Sequence, residues 1–384
     1  MKIKPYPHHN PKVANSQSRF AIGVKEVVDD SGNISYEDQL QSKKITYQLR
    51  EFQYDANTEK VDFVPVLDKD EKPKKRTETI TPYIPAESLK DIIRLVQILQ
   101  RPILLKGEPG SGKTQFAKAV AFEWYGAKYR QKFFEWHIKS TSKATDGLYQ
   151  FDHVARLRDA QLKHHLGDKV EEKEDTAYRK FGALAKGFLT STAADPAIVL
   201  IDEIDKADID FPNDLLLELD EKRFTIPETG ESIQAKYPPL IFITSNDERQ
   251  LPEAFLRRCL FLYVRFPEDH QLREIIKAHL PGMLENHQDL TDKALERFEK
   301  LRTTIDKDPA DFKRVSTSEL LDWLKAYHYD LQEDTNINSA DLTQERIKYL
   351  EEKGDELKKK METLGGYSAA LLKTIPAVKR ERKG

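Results

Sequence analysis

Cysteine occurs once in the 384 residues, at Cys259. A single thiol excludes an intramolecular disulfide framework and a cysteine-rich zinc cluster, and it fits a reducing cytosol in which the side chain simply packs. Nowhere do apolar residues run for the roughly 20 positions that a membrane-crossing helix needs. The opening Met1-Lys2-Ile3-Lys4-Pro5 leads into polar, proline-rich sequence rather than the apolar centre of a signal peptide. A soluble, cytoplasmic chain with no membrane partner is expected. An excess of one charge is missing too: 62 basic residues face 65 acidic ones, for a net charge of −3. The chain as a whole therefore lacks the basic surplus of a nucleic-acid binder. At this length two or three domains are expected.

What is present is organised around Gly107-Glu108-Pro109-Gly110-Ser111-Gly112-Lys113-Thr114, which fits G-x-x-x-x-G-K-[ST] without a mismatch. The apolar run Pro102 to Leu105 before it reads as a buried strand, and Gln115 to Val120 after it reads as a helix. In that setting glycines let backbone N–H groups turn inward around a phosphate, and the helix N-terminus adds the positive end of its dipole. Lys113 then reaches the β- and γ-phosphates of a nucleotide. Thr114 offers a hydroxyl to Mg²⁺, a hard ion that prefers oxygen ligands.

Residues 1 to about 17 read as an arm without its own core, and His8-His9 as part of it rather than as a metal site. From Arg19 to Val66 apolar residues alternate between turn clusters, as in a small β-rich domain. Asp68 to Thr79, mixed in charge and containing Pro73, reads as a surface linker. On that reading residues 19 to 66 recruit a partner, and deleting residues 1 to 78 spares the basal activity of the rest. Leu89, Ile92, Ile93, Val96 and Leu99 then hold the spacing of one helix face. Four more apolar runs follow that of the P-loop: Phe133 to Ile138, Ala197 to Ile201, Leu240 to Thr244 and Leu260 to Val264. Runs apolar on both faces suit a parallel sheet covered by helices, with the ligand at the carboxyl ends of the strands. Beyond Pro267 the patterns are helical: Leu272, Ile275, Ile276 and Leu280, then Leu295, Phe298 and Leu301, then Leu320, Leu321 and Leu324. From about residue 340 a heptad-like spacing, broken at Gly354, precedes a basic tail, Lys379 to Lys383.

Asp202 and Glu203 follow the third apolar run, so both carboxylates emerge at a strand end. Asp202 there holds Mg²⁺ and Glu203 orients and polarises the attacking water, since phosphoryl transfer needs positioning and charge compensation more than covalent chemistry.

Four motifs in this order resemble those of AAA+ ATPases, and more narrowly of the MoxR branch: GEPGSGKT, IVLIDEIDKAD from Ile198 to Asp208, FITSNDERQLPEAFLRRCLF from Phe242 to Phe261, and RVSTSELLDWL from Arg314 to Leu324. The resemblance runs from about Tyr83 to Tyr329. It implies an α/β P-loop NTPase (AAA+) fold: a parallel five-stranded sheet with helices on both faces, a small helical lid domain, and here a small β-rich N-terminal domain. The expected division is an arm, β-rich domain and linker over 1–80, the nucleotide-binding domain over 81–266, the lid over 267–335 and a helical extension over 336–384. It further implies ATP and Mg²⁺, hydrolysis in a ring homo-oligomer expected to be a hexamer, and remodelling of a protein partner, with a von Willebrand factor A domain protein the expected one. A ring motor on nucleic acid, as in restriction systems, is the alternative, and the acidic balance argues against it. A nucleotide switch that does not hydrolyse is opposed by intact Asp202, Glu203 and Asn246.

Carried over by motif, Asn246 matches the first sensor, which helps place the lytic water. Arg258 matches the arginine finger that reaches the neighbouring subunit's nucleotide, with Arg257 the competing candidate. Glu221 to Ala235 resembles the pre-sensor hairpin. Thr145 to Leu162 occupies the place of an inserted element that lines the pore in the family, although Tyr149 and Phe151 read equally as core aromatics. One motif departs: where most relatives carry a lid arginine, Ser316-Thr317-Ser318-Glu319 spells a helix-capping box, leaving Lys313 or Arg314 to supply the missing charge.

Overall fold

The computed structural model of the chain describes residues 24–28, 34–38, 43–56, 58–80, 83, 87–166, 174–246, 248–280, 282–306 and 315–333. The N-terminal arm, the segment from 336 onward with its basic tail, and Lys313 and Arg314 lie outside them. Six strands come first: β1 (Val24–Val28), β2 (Ile34–Asp38), β3 (Lys43–Gln48), β4 (Arg50–Asp55), β5 (Lys60–Pro65) and β6 (Lys75–Ile80). They pair antiparallel, β1 with β2, β3 with β6 and β4 with β5. Helix α1 (Glu87–Leu99) leads to the P-loop strand β7 (Ile103–Lys106) and the helix α2 (Lys113–Tyr125) behind it.

The central sheet contains β7, β8 (Phe133–His137), β11 (Ile198–Asp202), β14 (Leu240–Ser245) and β15 (Leu260–Tyr263). Their spatial order is β15-β7-β14-β11-β8, and every neighbouring pair is parallel. Strand alternation divides the core in two. Ile103, Leu105, Ile198, Leu200, Leu240 and Phe242 pack with Ile92, Ile93 and Val96 of α1 and Phe116 and Val120 of α2. Leu104, Val199, Ile201, Ile241 and Ile243 turn to the other face, against Leu184, Phe188, Phe211 and Phe255. Because residues of both parities are buried, the strands read as unbroken apolar runs.

Between β8 and β11 the chain inserts β9 (Tyr149–Phe151), helix α3 (His153–Leu166) and β10 (Arg179–Phe181), followed by helix α4 (Ala183–Thr190). β9 and β10 pair antiparallel. Both aromatics of the insertion are half-buried: the Tyr149 ring stacks on Phe224 with centroids 6.3 Å apart, and Phe151 sits between His153 and Tyr178. Helices α5 (Phe211–Asp214) and α6 (Leu216–Glu221) follow β11. The expected hairpin is β12 (Arg223–Ile226) and β13 (Glu231–Gln234). A short helix, α7 (Glu253–Leu256), precedes β15. Cys259 is buried in the core, and burial pushes its thiol up to about 12, so it packs without reacting.

After β15 only helices follow among the described residues: α8 (Asp269–His279), α9 (Met283–Asn286), α10 (Gln288–Asp306) and α11 (Thr317–Glu333). Leu272, Ile276, Leu295, Phe298, Leu301, Leu320, Leu321 and Leu324 share one buried cluster with Trp323 and Tyr327. Among the described residues no helix is long and apolar enough to cross a membrane.

Two expectations are corrected. Asp68 to Thr79 is not a linker: Leu67 bridges to Pro73 and the run ends in β6, paired with β3 over six residues. The strand escapes sequence detection because its side chains are mostly charged and exposed and show no apolar alternation. Nor is the β-rich segment separate from the nucleotide-binding body. Phe52 and Tyr54 meet Phe181 edge-on at 6.1 and 5.7 Å, and Ile45 and Ile80 pack on the core around α2. Glu78 accepts hydrogen bonds from Tyr129 and Arg130, each at 2.7 Å. These half-buried apolar contacts contribute on the order of 1–2 kcal/mol each. Deleting residues 1–80 is therefore expected to lower the thermal midpoint by on the order of 10 °C and to reduce soluble yield. A truncated chain that melts with the full-length protein would show the segment to be an appendage.

Candidate functional site

The P-loop joins β7 to α2, at the carboxyl end of the sheet. Gly110 and Gly112 adopt φ of +75° and +89°, values that side-chain-bearing residues rarely accept. Space is short as well: a Cβ on Gly110 would lie 2.3 Å from Ser316 Cβ, and one on Gly112 would lie 2.9 Å from the Tyr83 ring. Lys113 begins α2 and is buried; its ammonium donates to the carbonyls of Gly107 (2.9 Å) and Glu108 (2.7 Å). Burial holds its pKa below the ordinary lysine value, while Asp205, Asp202, Glu203 and Glu108 pull it back up. A buried cation facing several carboxylates is a ready counter-charge for phosphate.

Thr114, Asp202 and Thr244 converge beside it. Thr114 Oγ1 and Thr244 Oγ1 each donate to Asp202 Oδ1 at 2.7 Å. The Glu203 backbone N–H donates to Thr244 Oγ1 at 2.8 Å. One hydroxyl thus fixes the Asp202 carboxylate and the Glu203 backbone together. His137 Nδ1 lies 3.2 Å from the other oxygen, Asp202 Oδ2, because β8 and β11 run in register with His137 opposite Asp202.

Glu203 occupies the left-handed region, φ 62° and ψ 52°, a conformation that costs a non-glycine residue about 1–2 kcal/mol. The turn lets the chain leave β11 and present the carboxylate at the strand end. Asn246 Nδ2 donates to Glu203 Oε1 at 3.2 Å, and Lys206 forms an ion pair with Oε2. Asn246 is held in turn by its backbone N–H, which donates to Asp205 Oδ2 at 3.0 Å; Glu248 N donates to the same oxygen at 3.1 Å.

The fold therefore brings together the P-loop, Asp202, Glu203 and Asn246. Arg258 is elsewhere. It ends the turn after α7, ahead of β15, so it lies at the amino ends of the strands, with Arg101 Nε donating to its carbonyl at 3.2 Å. Its guanidinium pairs with Asp220 and donates to the Ala254 carbonyl; Arg257 pairs with Glu253. Thr244, His137, Asp205 and Lys206 were missed from sequence. Lys206 and Asp205 stood inside the quoted DEIDKAD motif. Thr244 and His137 carry no local signal, since their role depends on the order of the strands.

Thr244→Val removes both the donor to Asp202 and the acceptor for Glu203 N–H with little change in volume. It is expected to lower turnover about 30-fold at limiting Mg²⁺, the equivalent of two lost hydrogen bonds of about 1 kcal/mol each. Steady-state rates across a Mg²⁺ titration check this, and an unchanged titration would remove Thr244 from the site.

The residues present fit a magnesium nucleotide. Ser111 is buried in the loop with an unpartnered Oγ, the glycines leave room only for backbone, and Thr114 and Asp202 set two oxygen donors side by side, as a hard cation requires. No curated protein matches the chain. The family model of the AAA domain (dynein-related subfamily) matches residues 102–259, from the P-loop strand to the turn before β15. With the sheet order above, that match supports an AAA+ ATPase domain in the middle of the chain.

Proposed function

We propose that the chain is a MoxR-like AAA+ ATPase that binds Mg-ATP between its α/β and lid domains and hydrolyses it in a ring, expected to be a hexamer, to remodel a protein partner. The observation that carries this is the convergence at the carboxyl ends of the central strands of Lys113, Thr114, Asp202, Glu203 and Asn246. Lys113 balances the β- and γ-phosphates. Thr114 and Asp202 would hold Mg²⁺, which would supply charge neutralisation. Glu203, with Asn246 on one carboxylate oxygen, accepts the proton of the attacking water and keeps that water in line with the γ-phosphorus. The insertion carrying α3 and the β12–β13 hairpin support the MoxR branch. A von Willebrand factor A domain protein is the expected partner on the same resemblance.

Phosphate release from ATP by the purified chain, with Mg²⁺ and after its removal by EDTA, tests the reaction; size-exclusion chromatography with and without ATP tests the ring. Turnover that is absent with Mg-ATP in an assembled ring would overturn the proposal. Turnover that rises with DNA and falls steeply with salt would transfer it to a nucleic-acid motor.

A further inference from the structure

The lid helix α11 points its N-terminus at the P-loop, yet its first turn holds no guanidinium. Ser316 abuts Gly110 and is locked by the capping box: its N–H donates to Glu319 Oε2 at 2.8 Å and its hydroxyl donates to the same oxygen at 3.1 Å. A guanidinium arrives from behind, on α10. Arg302 Nη2 donates to Glu108 Oε2 at 2.7 Å, and Nη1 donates to the Val315 carbonyl, the last before Ser316. The group lies flat over Phe266, where the chain passes from sheet to lid, with Cζ 3.5 Å from the ring centroid. Its side chain is only 14% exposed and that of Glu108 20%, so both charge-assisted bonds are partly shielded from water.

We propose that Arg302 is the positioning residue through which the lid responds to nucleotide, taking over the coupling that the first turn of α11 cannot make. The inference rests on the ATPase reading above. A continuous chain of contacts supports it. Lys113 donates to the Glu108 carbonyl, the Glu108 carboxylate accepts from Arg302, and Arg302 holds the Val315 carbonyl at the entrance to α11. A phosphate that draws on Lys113 competes with the Glu108 carbonyl for its donors, and that loop residue is tied by its side chain to the lid. The fork of an arginine can hold a carboxylate and a carbonyl on different elements at once. A lysine ammonium puts a single donor atom, on a differently shaped side chain, where arginine has two nitrogens in a planar fork. With the lid so held, the α11 N-terminus and the buried, unpartnered Thr317 hydroxyl stay beside the cradle, where a helix dipole favours anions.

The test uses the full chain and ATP. Arg302→Lys and Glu108→Gln, singly and together, are compared with wild type for the KM and kcat of ATP hydrolysis and for thermal midpoint without nucleotide. Each single change is expected to raise KM about tenfold, the effect of one charge-assisted hydrogen bond, with kcat less affected. The double variant is expected to be no worse than Arg302→Lys alone, since both changes act on the same link, which Arg302→Lys removes and Glu108→Gln strips of its charge assistance. Wild-type KM in Arg302→Lys, additive effects in the double variant, or a change confined to the thermal midpoint would each overturn the inference. Should Arg302→Lys fold poorly, Glu108→Gln carries the test alone, because it leaves Arg302 stacked on Phe266. A wild-type chain that binds no ATP sinks the ATPase reading and this inference together; a wild type that hydrolyses ATP beside unaltered variants sinks this inference only.

Discussion

Lys113→Ala is expected to abolish measurable nucleotide binding, while Glu203→Gln binds ATP as wild type does and turns it over roughly 10²–10⁴-fold more slowly, the usual contribution of a general base. The two variants separate because they remove different things. Lys113 is the buried cation at the cradle, its ammonium donating to the Gly107 and Glu108 carbonyls. Alanine leaves the phosphates facing Asp202, Glu203 and Asp205 without the buried ammonium that offsets them. Glutamine at 203 keeps an oxygen for the Asn246 amide and loses the negative charge that pairs with Lys206 and, in the proposed reaction, takes the proton. Calorimetric affinity for ATP and phosphate release measure the pair. Unchanged turnover in Glu203→Gln would take that residue out of the chemistry, and tight binding by Lys113→Ala would move the phosphates away from the P-loop.

How far the sequence reveals such a site depends on whether the relevant contacts are local. The five central strands were legible because each is buried on both faces and therefore written as an apolar run, such as Ile198 to Ile201. The P-loop was legible because its chemistry is confined to eight consecutive residues. The capping box at Ser316 was legible for the same reason, and the structure forms it with Glu319. Thr244 was not, since its hydroxyl matters only because β14 lies beside β11. Strand β6 was taken for linker because a ladder of exposed Lys, Arg, Thr and Glu has no hydrophobic period to read. The docking of the β-rich segment through Phe52 and Tyr54 joins residues more than a hundred positions apart, and no spacing rule reports it. The Arg302–Glu108 pair, 194 residues apart in sequence, belongs to the same class.

Arg258→Ala is expected to bind ATP normally and to hydrolyse it on the order of 10³-fold more slowly, because an arginine that meets the charge of a transferring phosphoryl group is worth about 10³–10⁵ in rate. Its position forbids that role in its own subunit. β15 runs parallel to β7 with Leu260 opposite Ile103, and Arg258 precedes Leu260, whereas the P-loop leaves the far end of β7. Four strand residues at about 3.3 Å each put roughly 13 Å of sheet between the two, beyond the reach of one arginine side chain. Any phosphate it meets belongs to a neighbour, and to meet it the side chain must exchange Asp220 for that phosphate. Mixing Arg258→Ala with Lys113→Ala subunits distinguishes the cases. A Lys113→Ala subunit has an empty site of its own yet still presents an intact Arg258 to the next, so mixed rings are expected to regain activity that neither variant has alone. No recovery in rings shown by mass to be mixed would place the action of Arg258 within its own subunit or reduce it to holding Asp220. Repeating the mixture with Arg257→Ala, whose guanidinium pairs with Glu253 on the exposed side of α7, assigns the finger to one arginine or the other.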